Sequence, residues 1–346
     1  MMTDRENLLR AVRFERPERV PMGFHFNGAC WHHYPDGSLQ ELMAAHPLLF
    51  PGFDPATFKP PEISPNLRHV DAWGCVWETT DPGITGTVTQ HPLADWSALD
   101  QLLRPDPGRT NGYAPLDWDA IGKELQRARA EGRLAAGSLT HGHTFMTLCN
   151  LRGYENLLYD MADDDPRLRR LLGLVEDFNL GLVERWLARG VEWMGYPEDL
   201  GTQNSPMLSP ELMQRFLLPT YRRIMDPARR AGVIVHMHSD GCIRDIADLL
   251  VEGGVEVINL QDLVNGIDWI RERFAGRVCI DLDIDRQRIT RFGTPAQIDA
   301  LLREEVEQLG SREGGLTLIF GLYPGTPLAN VHALMDAMER YGAFYA

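Results

Sequence analysis

Apolar residues follow two rhythms along this chain. Short runs of β-branched and apolar residues stop at turn formers and read as strands, and longer stretches with an apolar residue every three or four positions read as helices. An amphipathic helix is predicted over residues 3–14, with Leu8, Leu9, Val12 and Phe14 as its apolar positions, followed by a strand over 20–26. The clearest strand covers residues 233–238, where Val233, Ile234 and Val235 have the composition of a strand buried on both faces and Ser239-Asp240-Gly241 breaks the run. Further strands are predicted at 71–78, 134–140, 191–196, 255–260, 278–283 and 316–320. The strongest helix, 167–190, carries Leu168, Leu171, Leu172, Val175, Phe178, Leu182 and Trp186 on one face. Ser209-Pro210 marks another helix start, and Pro219 predicts a kink or split soon after it.

The last six of these eight strands alternate with helices, which implies parallel pairing and right-handed crossovers. The expected fold is α/β, a (β/α)8 TIM barrel forming a single domain over residues 1–346. A long irregular excursion after the first strand runs to about residue 70. Its aromatic residues, including Trp31 and Tyr34 around His32-His33, are too many for a solvated linker. Residues 83–91 alternate like a hairpin strand. Neither GxGxxG nor GxxxxGK[ST] occurs, which argues against an open nucleotide-binding sheet.

A formal charge of −15 argues against a nucleic-acid or anionic-membrane partner. The five cysteines form no CxxC pair, no apolar run approaches the roughly 18 residues of a membrane span, and no signal peptide is evident. These features lead to the expectation of free thiols in a reducing cytoplasm.

In a barrel the carboxyl ends of all strands open on one face. That face would gather His25, Glu198, His236, His238, Asp240, Asp283 and either His141 or His143. His236 and His238 are two apart on a strand and so point to one side. Imidazole with carboxylate suits zinc or a related divalent ion, and it suits general acid–base work equally; spacing leaves both open. Of Glu198-Asp199, one carboxylate should reach the mouth and one should serve structure. Asp283 faces the pocket in this reading while Asp285 caps the next turn. Cys242, His32, His33, His91 and His332 read as packing or surface residues.

Several pieces then carry a family resemblance. They are Arg5-Glu-Asn-Leu-Leu-Arg-Ala with Arg16-Pro-Glu-Arg-Val-Pro21, Leu151-Arg-Gly-Tyr-Glu-Asn156, Glu198-Asp-Leu-Gly-Thr-Gln203, Ser209-Pro-Glu, His236-Met-His-Ser-Asp-Gly241, Asn259-Leu-Gln261, Gly293-Thr-Pro295 and Thr326-Pro-Leu-Ala-Asn330. In this order and spacing, nearly end to end, the chain resembles the uroporphyrinogen decarboxylase superfamily. The resemblance implies the barrel, with the site at the carboxyl ends of its strands.

The decarboxylase branch has arginines after the first strand and an aspartate ending the second; here those regions read Phe26-Asn-Gly-Ala-Cys30 and Trp73-Gly-Cys-Val-Trp-Glu78. The corrinoid-dependent methyltransferase branch holds zinc with His-x-Cys on the fifth strand and a later cysteine. Here these become His236-x-His238 and Phe320. The resemblance implies a metal-dependent methyltransferase acting with a corrinoid (methylcobamide) partner or cofactor, with Glu198, His236 and His238 as ligands to a divalent ion, zinc first. The catalytic expectation is His25, Asp240 and Asp283, with His141, His143, Gln203 and Tyr323 contacting a small-molecule substrate, and a homodimer as the assembly. A carboxy-lyase using metal or histidine acid–base chemistry, and a non-catalytic ligand-binding barrel, are the alternatives.

Overall fold

Parallel strands and helices alternate along much of the computed structural model, which describes residues 2–63 and 67–345. The strands are β1 (Met22–Phe26), β2 (Arg68–Val70), β3 (Val76–Glu78), β4 (Thr87–Gln90), β5 (Ala136–Ser138), β6 (Trp193–Gly195), β7 (Glu198–Asp199), β8 (Ile234–Asp240), β9 (Val257–Gln261), β10 (Cys279–Asp283) and β11 (Leu316–Leu322). The chain divides into two compact units: Met1–Leu67, Thr79–Thr85 and Gln261–Ala346 form one, and Arg68–Glu78 with Gly86–Leu260 form the other. No helix among the described residues is long and apolar enough to cross a membrane.

In the first unit β11 lies between β1 and β10, parallel to both, with His25 opposite Gly321 and Leu282 opposite Leu318. Leu316, Leu318, Phe320 and Leu322 are buried, consistent with the apolar run that predicted this strand. Helix Pro295–Leu309 starts at a capping box formed by Thr294 and Gln297. The stretch after β1 contains two short helices, Cys30–His33 and Ser38–Ala45. Its rings pack on one another: Phe26 stacks on Phe50 with centroids 5.7 Å apart, and Trp31 lies 5.4 Å from Phe58. The aromatic content therefore forms a small core of its own.

In the second unit β5, β6, β8 and β9 run parallel in that order, and β7 pairs with the end of β8. Helix Pro166–Ala188 buries Leu168, Leu171, Val175, Phe178 and Leu182 of the stripe expected from the sequence, leaves Leu172 and Trp186 half-buried, and is capped at its start by Asp165. Around Pro219 the chain is split into helix Pro210–Leu212, a wider turn over Met213–Leu217 and helix Leu218–Arg230.

One predicted strand behaves differently. Residues 71–78 do not join the parallel strands; only Val76–Glu78 is extended, as β3, between antiparallel β2 and β4. The cause is local turn chemistry. The Asp71 carboxylate accepts the backbone N–H groups of Trp73 and Cys75, each at 2.9 Å, and Gly74 takes φ +91°, so the chain reverses instead of continuing.

The ends of β7 and β8 are held together by a backbone crossing. Gly241 has φ +81°, and a Cβ there would lie 2.2 Å from the Gly201 carbonyl oxygen; a Cβ on Gly201 would lie 2.6 Å from the Cys242 nitrogen. Only glycine fits on both sides. Gly232 (φ +69°) has open space around its Cβ position, so Gly232→Ala should lose only the conformational term of about 1–2 kcal/mol. Gly241→Ala should be distinctly more destabilising, because the clash adds to that term. Urea melts of the two variants check this, and equal losses would contradict the crossing as the reason for glycine.

Candidate functional site

β8 alternates cleanly. Val235, Met237 and Ser239 are buried, while His236, His238 and Asp240 point to the other side. The Ser239 hydroxyl accepts the Leu200 N–H at 2.9 Å, and Asp199 lies opposite Asp240 in the β7–β8 register. Register and alternation together bring Asp199 and Asp240 beside His238.

Three side chains converge at this point. His141, in the loop after β5, places Nε2 3.3 Å from Asp199 Oδ1, and His238 Nε2 lies 3.7 Å from the same oxygen. The two imidazole rings are 5.4 Å apart. Asp240 Oδ1 is a further 3.7 Å from His238 Nε2. On its other nitrogen, His238 Nδ1 donates to the side-chain carbonyl of buried Asn259. That bond fixes the tautomer and leaves the Nε2 lone pair facing the carboxylates.

Asp199 Oδ1 is buried, and no donor aligns on it within hydrogen-bond geometry. Burial alone would raise this carboxyl, but the imidazoles of His141 and His238 outweigh it and hold the group below the usual carboxylate range. It is thus a fixed negative charge. Tetrahedral zinc with bonds of 2.0–2.1 Å to nitrogen and oxygen has ligand–ligand edges of about 3.4 Å. The observed 3.3 and 3.7 Å bracket that value, and the ligand atoms of His141, Asp199 and His238 all lie within 4.8 Å of one another. A nitrogen and oxygen donor set with an orphaned buried carboxylate oxygen fits a divalent ion.

Other residues expected at the site have different surroundings. Glu198 is fully buried and turned to the start of helix Phe145–Arg152. It accepts the N–H groups of Thr144 (2.7 Å), Phe145 (2.7 Å) and Met146 (3.3 Å), and the Tyr221 hydroxyl at 3.2 Å. Burial pushes its carboxyl up to about 7, with the three N–H bonds opposing the rise. His143 is wholly buried beside it, with Nδ1 2.6 Å from the Thr144 hydroxyl, and burial pushes its imidazole down to about 3. His236 packs its ring on Trp193 at 5.0 Å and is outside the group of three. Gln203 is exposed in the turn closed by Thr202 and Ser205. Phe320, where the methyltransferase branch has its second cysteine, is buried against Phe24.

The first unit holds the remaining candidates. His25 on β1 keeps contact with solvent; crowding by the protein lowers its pKa, and the charge of Asp281 opposes this. Asp283, at the end of β10, is buried and ion-paired to Arg286 at 2.7 Å, and the Arg286 guanidinium lies 5.5 Å from the Tyr323 ring centre. Asp285 accepts the N–H groups of residues 287–290 and so caps the next turn.

Of the pair Glu198-Asp199, the sequence favoured Glu198 as the candidate ligand, whereas Asp199 is the carboxylate that lies beside His141 and His238. Only the structure separates the two: Glu198 and Leu200 are wholly buried and share the core side, and Asp199 takes the opposite one.

Comparison with known proteins agrees with this architecture. Methylcobamide:CoM methyltransferase MtbA of Methanosarcina mazei is 20% identical over 98% of each chain. The solved structure of a methyltransferase from Methanosarcina mazei superposes with a TM-score of 0.65 at 17% identity, covering 100% of both chains. The family profile described as Uroporphyrinogen decarboxylase (URO-D) matches residues 69–341, and the chain belongs to that family.

Proposed function

We propose that this protein is a metal-dependent methyltransferase working with a methylcobamide partner, with His141, Asp199 and His238 holding a divalent ion, zinc by preference. The observation that carries the reading is the buried, undonated Asp199 oxygen facing two imidazole nitrogens at 3.3 and 3.7 Å. The likeness over 98% of the chain to a methylcobamide methyltransferase, at 20% identity, supports this choice of reaction class. When bound, such an ion supplies Lewis acidity that makes an acceptor O–H or S–H a better nucleophile. The chain's own groups do the rest. Asn259 holds His238 in the ligating tautomer, Asp199 contributes the negative charge, and partly exposed Asp240 stands where it can take the acceptor's proton. With nitrogen and oxygen donors in place of thiolates, the site favours a hard acceptor such as an alkoxide or carboxylate over a soft thiol. A cytoplasmic setting is part of the proposal.

The same group supports a second reading, a carboxy-lyase in which His141 and His238 relay protons across Asp199 without an ion. Metal content separates the two. Asp199→Asn should weaken zinc binding at least as much as loss of a partner outside the ligand set, roughly 10–100-fold, while the protein stays folded. Zinc titration checks this, and unchanged affinity would move the account to the acid–base reading. Methyl transfer is tested by following the demethylation of methylcobamide spectroscopically with alcohol, carboxylate and thiol acceptors. No turnover with any acceptor by zinc-loaded protein would contradict the proposal.

Glu198→Gln should separate structure from chemistry. The folded-state carboxyl is raised from an ordinary 4.5 to about 7, so the native state binds this proton more tightly than the unfolded chain. Its stabilising contribution is therefore complete below pH 4.5 and declines as pH rises towards 7. Thermal melts across that window should show the decline in the parent protein and a flatter profile in Glu198→Gln, with zinc affinity unchanged.

A further inference from the structure

A second constellation of metal-ligating side chains lies in the first unit, on helix Leu328–Gly342. His332 and Asp336 are four residues apart on that helix and so share one face, with His332 Nδ1 3.7 Å from Asp336 Oδ2. His46, which follows helix Ser38–Ala45, brings its Nε2 to within 3.0 Å of His332 Nδ1. His46 is almost completely buried, at 1% exposure, whereas His332 and Asp336 are more than half exposed at 51% and 56%.

The tautomer of His46 is set from behind. Its Nδ1 faces Glu339 Oε2 at 3.4 Å, and the other oxygen of that carboxylate accepts the Leu48 N–H at 2.8 Å. Glu339 is thereby fixed, and it holds the imidazole proton on Nδ1. The Nε2 lone pair of a buried histidine then points at a second histidine that solvent can reach; Asp336 Oδ1 lies 4.0 Å from His46 Nδ1, and the ligand atoms of the three residues lie within 4.8 Å of one another. This carboxylate–histidine arrangement is the one that orients ligating imidazoles in metal sites. The separations of 3.0 and 3.7 Å bracket the edge of about 3.4 Å for a tetrahedral ion with bonds of 2.0–2.1 Å. Two nitrogens and one carboxylate, with the exposed side left for water, form a set suited to zinc or a similar first-row ion.

We infer that His46, His332 and Asp336 form a second divalent-metal site, independent of the one containing Asp199, in which the ion staples the end of helix Ser38–Ala45 to helix Leu328–Gly342. Binding shifts the ring proton of His332 from Nδ1, where it is shared with His46 Nε2, to Nε2 by exchange through water at this half-exposed ring, so the imidazole stays neutral and Nδ1 is freed for the ion. Glu339 is a positioning residue and does not touch the ion. The role is structural, since the ion ties the segment that follows β1 to the final helix.

The test uses full-length protein stripped of metal and reloaded with Zn2+ alone, reading bound equivalents and melting temperature. His332→Ala and Asp336→Asn alter exposed side chains and should fold normally. Parent protein should bind one equivalent more than His332→Ala, and its melting temperature should rise further on zinc addition. Asp336→Asn and Glu339→Gln should weaken this equivalent at least roughly tenfold. Asp199→Asn should leave it intact, which keeps the outcome separate from that of the proposed active site. If His332→Ala binds as much zinc as the parent and gains the same thermal stabilisation, the site does not exist.

Discussion

The pairing of β7 with β8 decides what chemistry the second unit can offer. Glu198 lies opposite Ser239 and Asp199 opposite Asp240, so one carboxylate is committed to the interior and the other to the side that carries His238. A slip of one residue would exchange them. Just beyond the pair, Gly201 and Gly241 cross so closely that neither position has room for a Cβ. Glu198 in turn anchors the start of helix Phe145–Arg152, immediately after the loop bearing His141. Thus the buried carboxylate builds the frame that positions a third member of the site, without entering it.

The price of this arrangement is a carboxylate on Asp199, 31% exposed as a side chain, whose Oδ1 is buried with no aligned donor. Such a charge is tolerable only beside compensating groups. The imidazoles of His141 and His238 supply that environment at 3.3 and 3.7 Å without hydrogen-bond alignment, an arrangement that suits an intervening ion. Asn259 completes the logic by removing the proton from the nitrogen that faces the group.

Much of this was legible in the residues themselves. The HxHxD alternation over His236, His238 and Asp240 follows from strand geometry, and the buried stripe of helix Pro166–Ala188 follows from its apolar spacing. Residues 71–78 looked like a further parallel strand because aromatic content signals extension, whereas the turn made by Asp71 and Gly74 depends on hydrogen bonds that periodicity does not display. Choosing between Glu198 and Asp199 required the register of a two-residue strand, which is set by tertiary pairing. His141 and His143 could not be separated from sequence for the same reason: one faces solvent beside Asp199, and the other is enclosed beside Thr144 and Glu198. His332, which reads from the sequence as a structural residue of the last helix, acquires its interest only from His46, 286 positions away in the chain.

The central claim is that Asp199, together with His141 and His238, holds the ion. Anomalous X-ray diffraction at the zinc edge, from crystals of His332→Ala protein loaded with Zn2+, tests it most directly. The account predicts a peak bounded by His141 Nε2, Asp199 Oδ1 and His238 Nε2, at about 2.0–2.2 Å from each. A peak beside Glu198 and His236, or no peak on β7 and β8 at saturating zinc, would contradict it.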